Sequence, residues 1–146
     1  MKSQFSKKYS RTKLSALLLG CSVFLSVSSA YATETKVNLV GSEETPAVQT
    51  SAQGSGSIIV NKDRTVSGMV MTTGLAGTMA HIHLGAEGRK GPPIITLVKS
   101  GDGSWAVPSG SILTEEQYAS YKAGNLYVNV HSAENKDGEI RGQLKP

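Results

Sequence analysis

Three histidines carry the strongest chemical signal in this sequence. His81 and His83 stand two residues apart in the stretch MAHIHL, and His131 closes the run LYVNVH. Side chains two residues apart in a β-strand point to the same side of it. Neutral imidazole is a frequent metal ligand, so a His-x-His pair joined by a third histidine from a neighbouring strand can hold one ion. We therefore predict a metal site formed by His81, His83 and His131.

The neighbouring methionines bear on which metal this site would take. Three nitrogen donors suit copper or zinc. Met79 precedes His81 by two residues and shares its strand face, and a thioether sulfur favours copper, Cu(I) especially. Met79 is therefore a candidate fourth ligand, with copper as the first prediction and zinc as the alternative. Met69 and Met71 also share a face, and we expect them to fill gaps in a core.

The histidines also have an interpretation without a metal. Histidines on strands can form hydrogen bonds to the backbone or to Tyr127 and Asn129, and short motifs arise by chance. The protein would then be a non-metal extracellular interaction module that presents a polar histidine face to a protein or glycan partner. The sequence has no Gly-x-Ser-x-Gly elbow and no phosphate-binding glycine loop. We expect a binding protein rather than an enzyme, and a metal-dependent redox activity is the least favoured function.

The elements that must position the histidines are predicted to be strands. Short apolar or alternating segments recur between turn signals, which is typical of an antiparallel β-sandwich. The predicted strands are residues 36–40, 56–60, 65–72, 79–84, 94–98, 104–107, 126–131 and 139–144. One short helix is predicted over residues 114–122, with Thr114 and Gln117 as a capping box and Gly124 at its end. The predicted fold class is all-β, an antiparallel Greek-key sandwich with one short helix.

Alternation along the strands predicts which side chains form the core. Strand 126–131 should pair with strand 139–144, and segment 65–72 should form a hairpin with 56–60. The expected core positions are Ile82, Leu84, Val128, Val130, Ile140 and Leu144. The histidines then lie on the outer surface, where the glycine-rich loop 85–93 can fold over them. On the same face, Glu139 and Arg141 are expected to form an ion pair.

The N-terminal segment is predicted to be a signal peptide covering residues 1–32. It has five basic residues and no acidic one, then an apolar run, then the small-x-small cleavage signal Ala30-Tyr31-Ala32. The apolar run 14–27 is shorter than the roughly 20 residues of a spanning helix, so no membrane span is expected. Leu18-Leu19-Gly20-Cys21 also resembles a bacterial lipobox, which makes a lipoprotein anchored at Cys21 the minor alternative. The predicted location is secreted or periplasmic.

Removing this leader changes the charge and cysteine content of the chain. Of 15 basic residues, ten remain in residues 33–146, against all 11 acidic residues, so the net charge of +4 becomes −1. Nothing in residues 33–146 suggests a nucleic-acid partner. The single cysteine also lies in the leader. Residues 33–146 are therefore predicted to be one domain that is held by its core rather than by disulfides.

Several motifs in fixed order resemble the chordin-type (CHRD) domain. They are residues 80–92 (AHIHLGAEGRKGP), 103–108 (GSWAVP), 113–117 (LTEEQ), 123–131 (AGNLYVNVH) and 138–144 (GEIRGQL), with the opening stretch 40–48 (VGSEETPAV). The resemblance covers nearly all of residues 33–146. It implies an exported bacterial single-domain member of the family, and it brings no enzymatic activity with it. Chordin itself binds growth factors, but the single copy here lacks the cysteine-rich modules of chordin.

A weaker resemblance is to Cu/Zn superoxide dismutase. That enzyme is also an immunoglobulin-like Greek-key sandwich with a His-x-His pair on a strand, and its copper ligands point outward under long loops. It needs more histidines than the three of this chain, and it has a disulfide. The resemblance therefore implies a metal-binding surface of this kind and does not extend to dismutation.

Overall fold

A computed structural model describes residues 32–146. Nine strands and one α-helix make up the fold. The strands are β1 Thr33–Val40, β2 Gln53–Val60, β3 Val66–Thr73, β4 Gly77–Leu84, β5 Pro93–Thr96, β6 Val98–Gly101, β7 Ser104–Ala106, β8 Leu126–Ser132 and β9 Ile140–Leu144. The helix is α1, Glu115–Lys122. Apart from Ala32, the predicted signal peptide and the lipobox at Cys21 lie outside the described residues. No helix in residues 32–146 is long and apolar enough to cross a membrane.

The nine strands form one antiparallel sheet in the order β5-β4-β8-β9-β1-β2-β3-β7-β6. The sheet curls until it is nearly closed. Its two edge strands are consecutive in sequence, with only Leu97 between them. The indole of Trp105 on β7 lies so close to Gly77 on β4 that a β-carbon there would be 2.7 Å from the ring. The all-β antiparallel fold with one short helix is confirmed, and the two layers of the sandwich are two halves of one curled sheet.

The core fills the inside of this curled sheet, and alternation decides which residues enter it. Five of the six predicted core positions are at most 1% exposed, namely Ile82, Val128, Val130, Ile140 and Leu144. The sixth, Leu84, is half-buried and packs against the edge of the core. Both predicted hairpin pairings are confirmed, since β2 pairs with β3 and β8 pairs with β9.

Helix α1 begins and ends where its capping residues predict. The Thr114 hydroxyl accepts from the Gln117 backbone at 3.2 Å, and the Gln117 side chain accepts from the Thr114 backbone at 2.9 Å. Gly124 follows the helix with φ of 72°, a conformation that favours glycine. The helix packs onto the sheet through buried Tyr121, whose hydroxyl lies 2.6 Å from the Thr35 hydroxyl on β1.

Strand boundaries differ from the prediction where side chains are polar or exposed. Residues 94–98 were predicted as one strand, but the chain divides there into β5 and the start of β6. Strand β6 is exposed at all four positions, so it lacks the apolar alternation by which strands are recognised. Strand β1 begins at Thr33 instead of residue 36, and β2 begins at Gln53 instead of residue 56. Each extension pairs with the neighbouring strand of the sheet, and Thr35 is the one buried side chain among them.

Candidate metal centre

The three histidines converge because β4 and β8 are neighbours in the sheet. Met79 lies directly opposite His131, and His81 lies opposite Asn129. Side chains directly opposite or diagonal across an antiparallel pair can touch. The ring centroids of His81 and His131 are 4.9 Å apart, those of His81 and His83 are 5.4 Å apart, and those of His83 and His131 are 6.2 Å apart. Register thus brings all the histidines of the chain into one cluster.

Two of the imidazoles are oriented by backbone carbonyls. His83 Nδ1 lies 2.8 Å from the Gly91 carbonyl oxygen, and His131 Nδ1 lies 2.8 Å from the Lys136 carbonyl oxygen. A carbonyl can only accept, so in both rings Nδ1 carries the proton and Nε2 keeps a lone pair. Metal-binding histidines are commonly held in this way, with the second nitrogen donating to a carbonyl. The cluster therefore presents two oriented nitrogen lone pairs.

The third imidazole completes the cluster through a hydrogen bond between rings. His81 Nδ1 lies 2.9 Å from His131 Nε2. Because the proton of His131 is on Nδ1, His81 donates and His131 accepts. His83 Nε2, by contrast, is buried and has no hydrogen-bond partner. A buried acceptor without a partner is uncommon in folded proteins and calls for an explanation such as an ion.

The electrostatic environment of His81 and His83 favours the neutral form of both rings. Burial, followed by the neighbouring imidazoles His131 and His83, lowers the pKa of His81 below its ordinary value. Burial also lowers the pKa of His83, assisted by His131 and Arg141, while the hydrogen bond to Gly91 acts in the opposite direction. A neutral imidazole has a free lone pair, so both rings are in the form that binds a metal.

A loop of residues 85–92 covers the histidine face. The Arg141 guanidinium donates to the carbonyls of Ala86 and Arg89 at 2.9 and 3.0 Å. The Tyr127 hydroxyl accepts from the Gly91 backbone at 3.2 Å. A β-carbon at Gly91 would come within 1.6 Å of the Leu84 carbonyl oxygen, so only glycine lets the loop approach β4 this closely. The loop position in turn places the carbonyl that orients His83.

A stack of three side chains supports the cluster from the side. The Tyr127 ring is nearly parallel to that of His83, with an interplanar angle of 10° and centroids 4.9 Å apart. The guanidinium carbon of Arg141 lies 3.5 Å from the centroid of the same Tyr127 ring. Because β4 and β9 flank β8, Tyr127 lies between the other two. This stack fixes the plane of the His83 ring.

The three histidines have the spacing of a site that could hold one ion. One ring nitrogen from each histidine can be chosen so that all lie within 4.8 Å of one another. Ligands about 2.0–2.1 Å from a shared ion can be at most about 4 Å apart. The widest pair therefore needs to close by less than about 1 Å. His81 is only half-buried, so its ring has room for that adjustment.

Comparison with known proteins places this architecture in a family. The family model described as the CHRD domain matches residues 35–144. The chain belongs to the CHRD domain family. No curated protein and no solved structure shows a significant match. The resemblance expected from the motifs is confirmed, and membership supports an extracellular β-sandwich module.

The outer face of this CHRD domain is less exposed than the sequence predicted. We expected β8 to have one core face and one polar surface face. Every residue of β8 is buried, including His131 at 6% exposure and Asn129 at 2%. Loop 85–92 and the turn before β9 cover the second face through hydrogen bonds that alternation does not reveal. The polar side chains of β8 are therefore interior groups.

Two further predictions around the site are wrong. In the described part of the chain no ion pair joins Arg141 to Glu139. Glu139 instead accepts from the Thr50 hydroxyl at 2.7 Å, because loop carbonyls occupy the Arg141 guanidinium. Met69 and Met71 do not fill the core, since they are 46% and 47% exposed on the face of β3 that points away from the core. Met79 is on the histidine face as expected and is 49% exposed.

Sequence reasoning missed several residues that shape the site. Gly91 was not assigned a role, and Tyr127 and Asn129 were considered only as hydrogen-bond partners of the histidines. Glu44 lies far away in sequence, but its carboxylate accepts from Asn129 Nδ2 at 3.4 Å. Burial raises the pKa of Glu44, with the hydrogen bond from Asn129 and the charge of Arg141 acting against it. Asn129 could have been found by alternation, because it lies between Tyr127 and His131 on one strand face.

Proposed function

We propose that this CHRD domain binds one copper ion through His81, His83 and His131, with zinc as the alternative metal. The observation that carries the proposal is the buried, unpaired Nε2 of His83 within a cluster of three close imidazoles. Two of the rings have their other nitrogen fixed by a backbone carbonyl. Such preorganisation supports a metal centre, because the rings of His83 and His131 are already oriented before the ion arrives.

We propose that the domain is exported and that its role is to bind, store or deliver the metal. The predicted signal peptide over residues 1–32 and family membership support this location. In this account residues 33–146 form the mature domain, in the periplasm or outside the cell. Cleavage before Cys21 would instead give a lipid-anchored form. The intact mass of the exported protein distinguishes the two.

The alternative, a histidine face presented to a protein or glycan partner, has less support. His83 and His131 are 8% and 6% exposed; loop 85–92 contacts His83, and the turn before β9 contacts His131. A partner could touch only the half-exposed His81 without moving that loop. The hydrogen bond between His81 and His131 is the observation that favours this alternative, because a purely structural network would contain it without a metal.

Metal titration of the purified protein tests the proposal. We expect one copper ion per chain, with affinity reduced at least tenfold when His81, His83 or His131 is replaced by alanine. Met71→Ala is the control, since Met71 lies on the other half of the sheet. A protein that takes up no copper or zinc, or that binds equally well after each histidine is replaced, would refute the proposal and leave the structural network as the explanation.

A further inference from the structure

Unpaired polar atoms are concentrated at the histidine cluster. In residues 32–146, three buried side-chain nitrogen or oxygen atoms have no hydrogen-bond partner. One is the Trp105 indole nitrogen at the closure of the sheet. The other two are His83 Nε2 and Asn129 Oδ1, and both belong to the same face of β4 and β8. A site made of three histidines alone does not explain why Asn129 Oδ1 is buried without a partner.

The orientation of the Asn129 amide is fixed by its nitrogen. Asn129 Nδ2 donates to the Glu44 carboxylate at 3.4 Å and to the Asp137 carbonyl at 3.5 Å. The Asp137 carbonyl can only accept, so the nitrogen must face it and Oδ1 must face the other way. A β-carbon at Gly138 would lie 2.3 Å from the Glu44 carboxylate and 2.6 Å from Asn129 Nδ2, so only glycine lets the turn approach this pair so closely.

The free oxygen of this amide belongs to a side chain on the histidine face. Asn129 is directly opposite His81 and precedes His131 by two residues, so its side chain belongs to the histidine face. The Asn129 side chain also lies close enough to the His83 ring to interact with it. With the proton of His83 on Nδ1, His83 Nε2 and Asn129 Oδ1 are both acceptors. Two buried acceptors cannot satisfy one another, whereas a cation between them satisfies both.

We propose that Asn129 Oδ1 is the fourth donor of the metal centre, beside His81, His83 and His131. This inference rests on the proposed function and adds the ligand that selects the ion. An amide oxygen is a harder donor than a thioether, so three nitrogens and one oxygen favour Cu(II) or Zn(II) over Cu(I). Met79 stays outside the centre, its side chain half-exposed at the rim. Glu44 acts as a positioning residue that holds the amide.

Titration with Cu(II), Zn(II) and Cu(I), each against a competing chelator, tests this assignment. The variants are Asn129→Leu, which removes the oxygen at similar volume, and Met79→Leu, which removes the competing sulfur. Met71→Leu is the matched control, because Met71 is as exposed as Met79 but lies on β3. We expect Asn129→Leu to lower the affinity for Cu(II) and Zn(II) at least tenfold and the affinity for Cu(I) much less. Met79→Leu should match the Met71→Leu control for all three ions.

The outcomes separate this inference from the proposed function. If Asn129→Leu binds Cu(II) within twofold of the unaltered protein while His81→Ala does not, Asn129 is not a ligand and the three-histidine site remains. A larger loss in Met79→Leu than in Asn129→Leu would assign the fourth position to sulfur. If the unaltered protein binds none of the ions, the proposed function itself fails.

A second measurement covers the case in which Asn129→Leu does not fold. Asn129→Asp keeps an oxygen at the same position and changes its charge. If that oxygen is a ligand, the electron paramagnetic resonance spectrum of bound Cu(II) must shift, because g and hyperfine values respond to the charge of the donor set. A Cu(II) spectrum identical to that of the unaltered protein would overturn the assignment.

Discussion

The two halves of the curled sheet treat their outer faces in opposite ways. On β4, β8 and β9 the outer face is covered by loops, and His131, Asn129 and Arg141 on it are buried. On β1 and β3 the outer positions alternate with the core and stay exposed. Burying polar groups costs free energy unless each finds a partner. Burial of polar groups in the covered half therefore costs free energy, and these groups form a site. The open half is an ordinary solvent-exposed surface.

The largest expected difference between the halves concerns the buried guanidinium of Arg141. Arg141 is 1% exposed, donates to two loop carbonyls and stacks on Tyr127. Arg141→Ala leaves those acceptors unpaired and removes the stack, so we expect a loss of about 2–4 kcal/mol in the free energy of unfolding. Lys36→Ala on the exposed face of β1 should change it by less than about 0.5 kcal/mol. Chemical denaturation measures both, and equal effects would remove the distinction between the halves.

The second prediction concerns the loop that covers the site. A methyl group at Gly91 would collide with the Leu84 carbonyl, so Gly91→Ala must push loop 85–92 outward. We expect a loss of about 1–3 kcal/mol in stability and weaker metal binding, because His83 loses the carbonyl that orients it. Gly88→Ala is the control within the same loop, since nothing lies within 4 Å of a β-carbon there, although its φ of 70° adds some strain. Unchanged copper affinity in Gly91→Ala would show that the loop does not organise the site.

The third prediction is a dependence of stability on pH that arises in the covered half. The pKa values of His81 and His83 are lowered in the folded protein, chiefly by burial. The unfolded chain titrates near about 6.5, so it takes up protons before the folded chain does. The free energy of unfolding of the metal-free protein should therefore be highest above about pH 6.5. It should decrease as the pH falls from there toward the lowered pKa values of the folded protein. In His83→Gln the decrease should be smaller. A pH profile unchanged from that of the unaltered protein would contradict the conclusion that burial of His83 lowers its pKa.

The smallest expected effect concerns the open half. Met69 and Met71 are nearly half-exposed, so Met71→Leu should alter stability by less than about 0.5 kcal/mol. Mild peroxide treatment should oxidise these two methionines and Met79 readily, because a thioether is oxidised where it is accessible. Peptide mass spectrometry measures this. Protection of Met79 alone by added Ag(I), a soft ion that peroxide does not oxidise and that stands in for Cu(I), would show that its sulfur binds the ion, against the assignment of Asn129.

Much of the fold could be predicted because β-strands show their periodicity directly. Alternation placed Val128 and Ile140 in the core and put the histidines on one face, and the turn residues marked the hairpins. The same alternation misassigned Met69, because apolar residues on both faces of β3 do not say which face is inward. Strand β6 was missed because its pairing depends on the backbone rather than on its exposed side chains.

The candidate site was only partly predictable for a related reason. Its three histidines needed one long-range assumption, that β4 and β8 are neighbours, which is confirmed. Its cover and supports depend on contacts between residues far apart in sequence, such as Arg141 with Ala86 and Asn129 with Glu44. No local pattern encodes those contacts. Alternation places Asn129 on the histidine face, but the unpaired oxygen of its amide depends on the contacts of the folded chain.

The most direct test of this account is a crystal structure of the copper-loaded protein with anomalous diffraction recorded at the copper edge. The account predicts one strong anomalous peak per chain, about 2.0–2.1 Å from a ring nitrogen of each of His81, His83 and His131. The Asn129 carbonyl oxygen should complete the coordination. A peak at another place on the molecule, or no peak from protein soaked in excess copper, would contradict the metal centre proposed here.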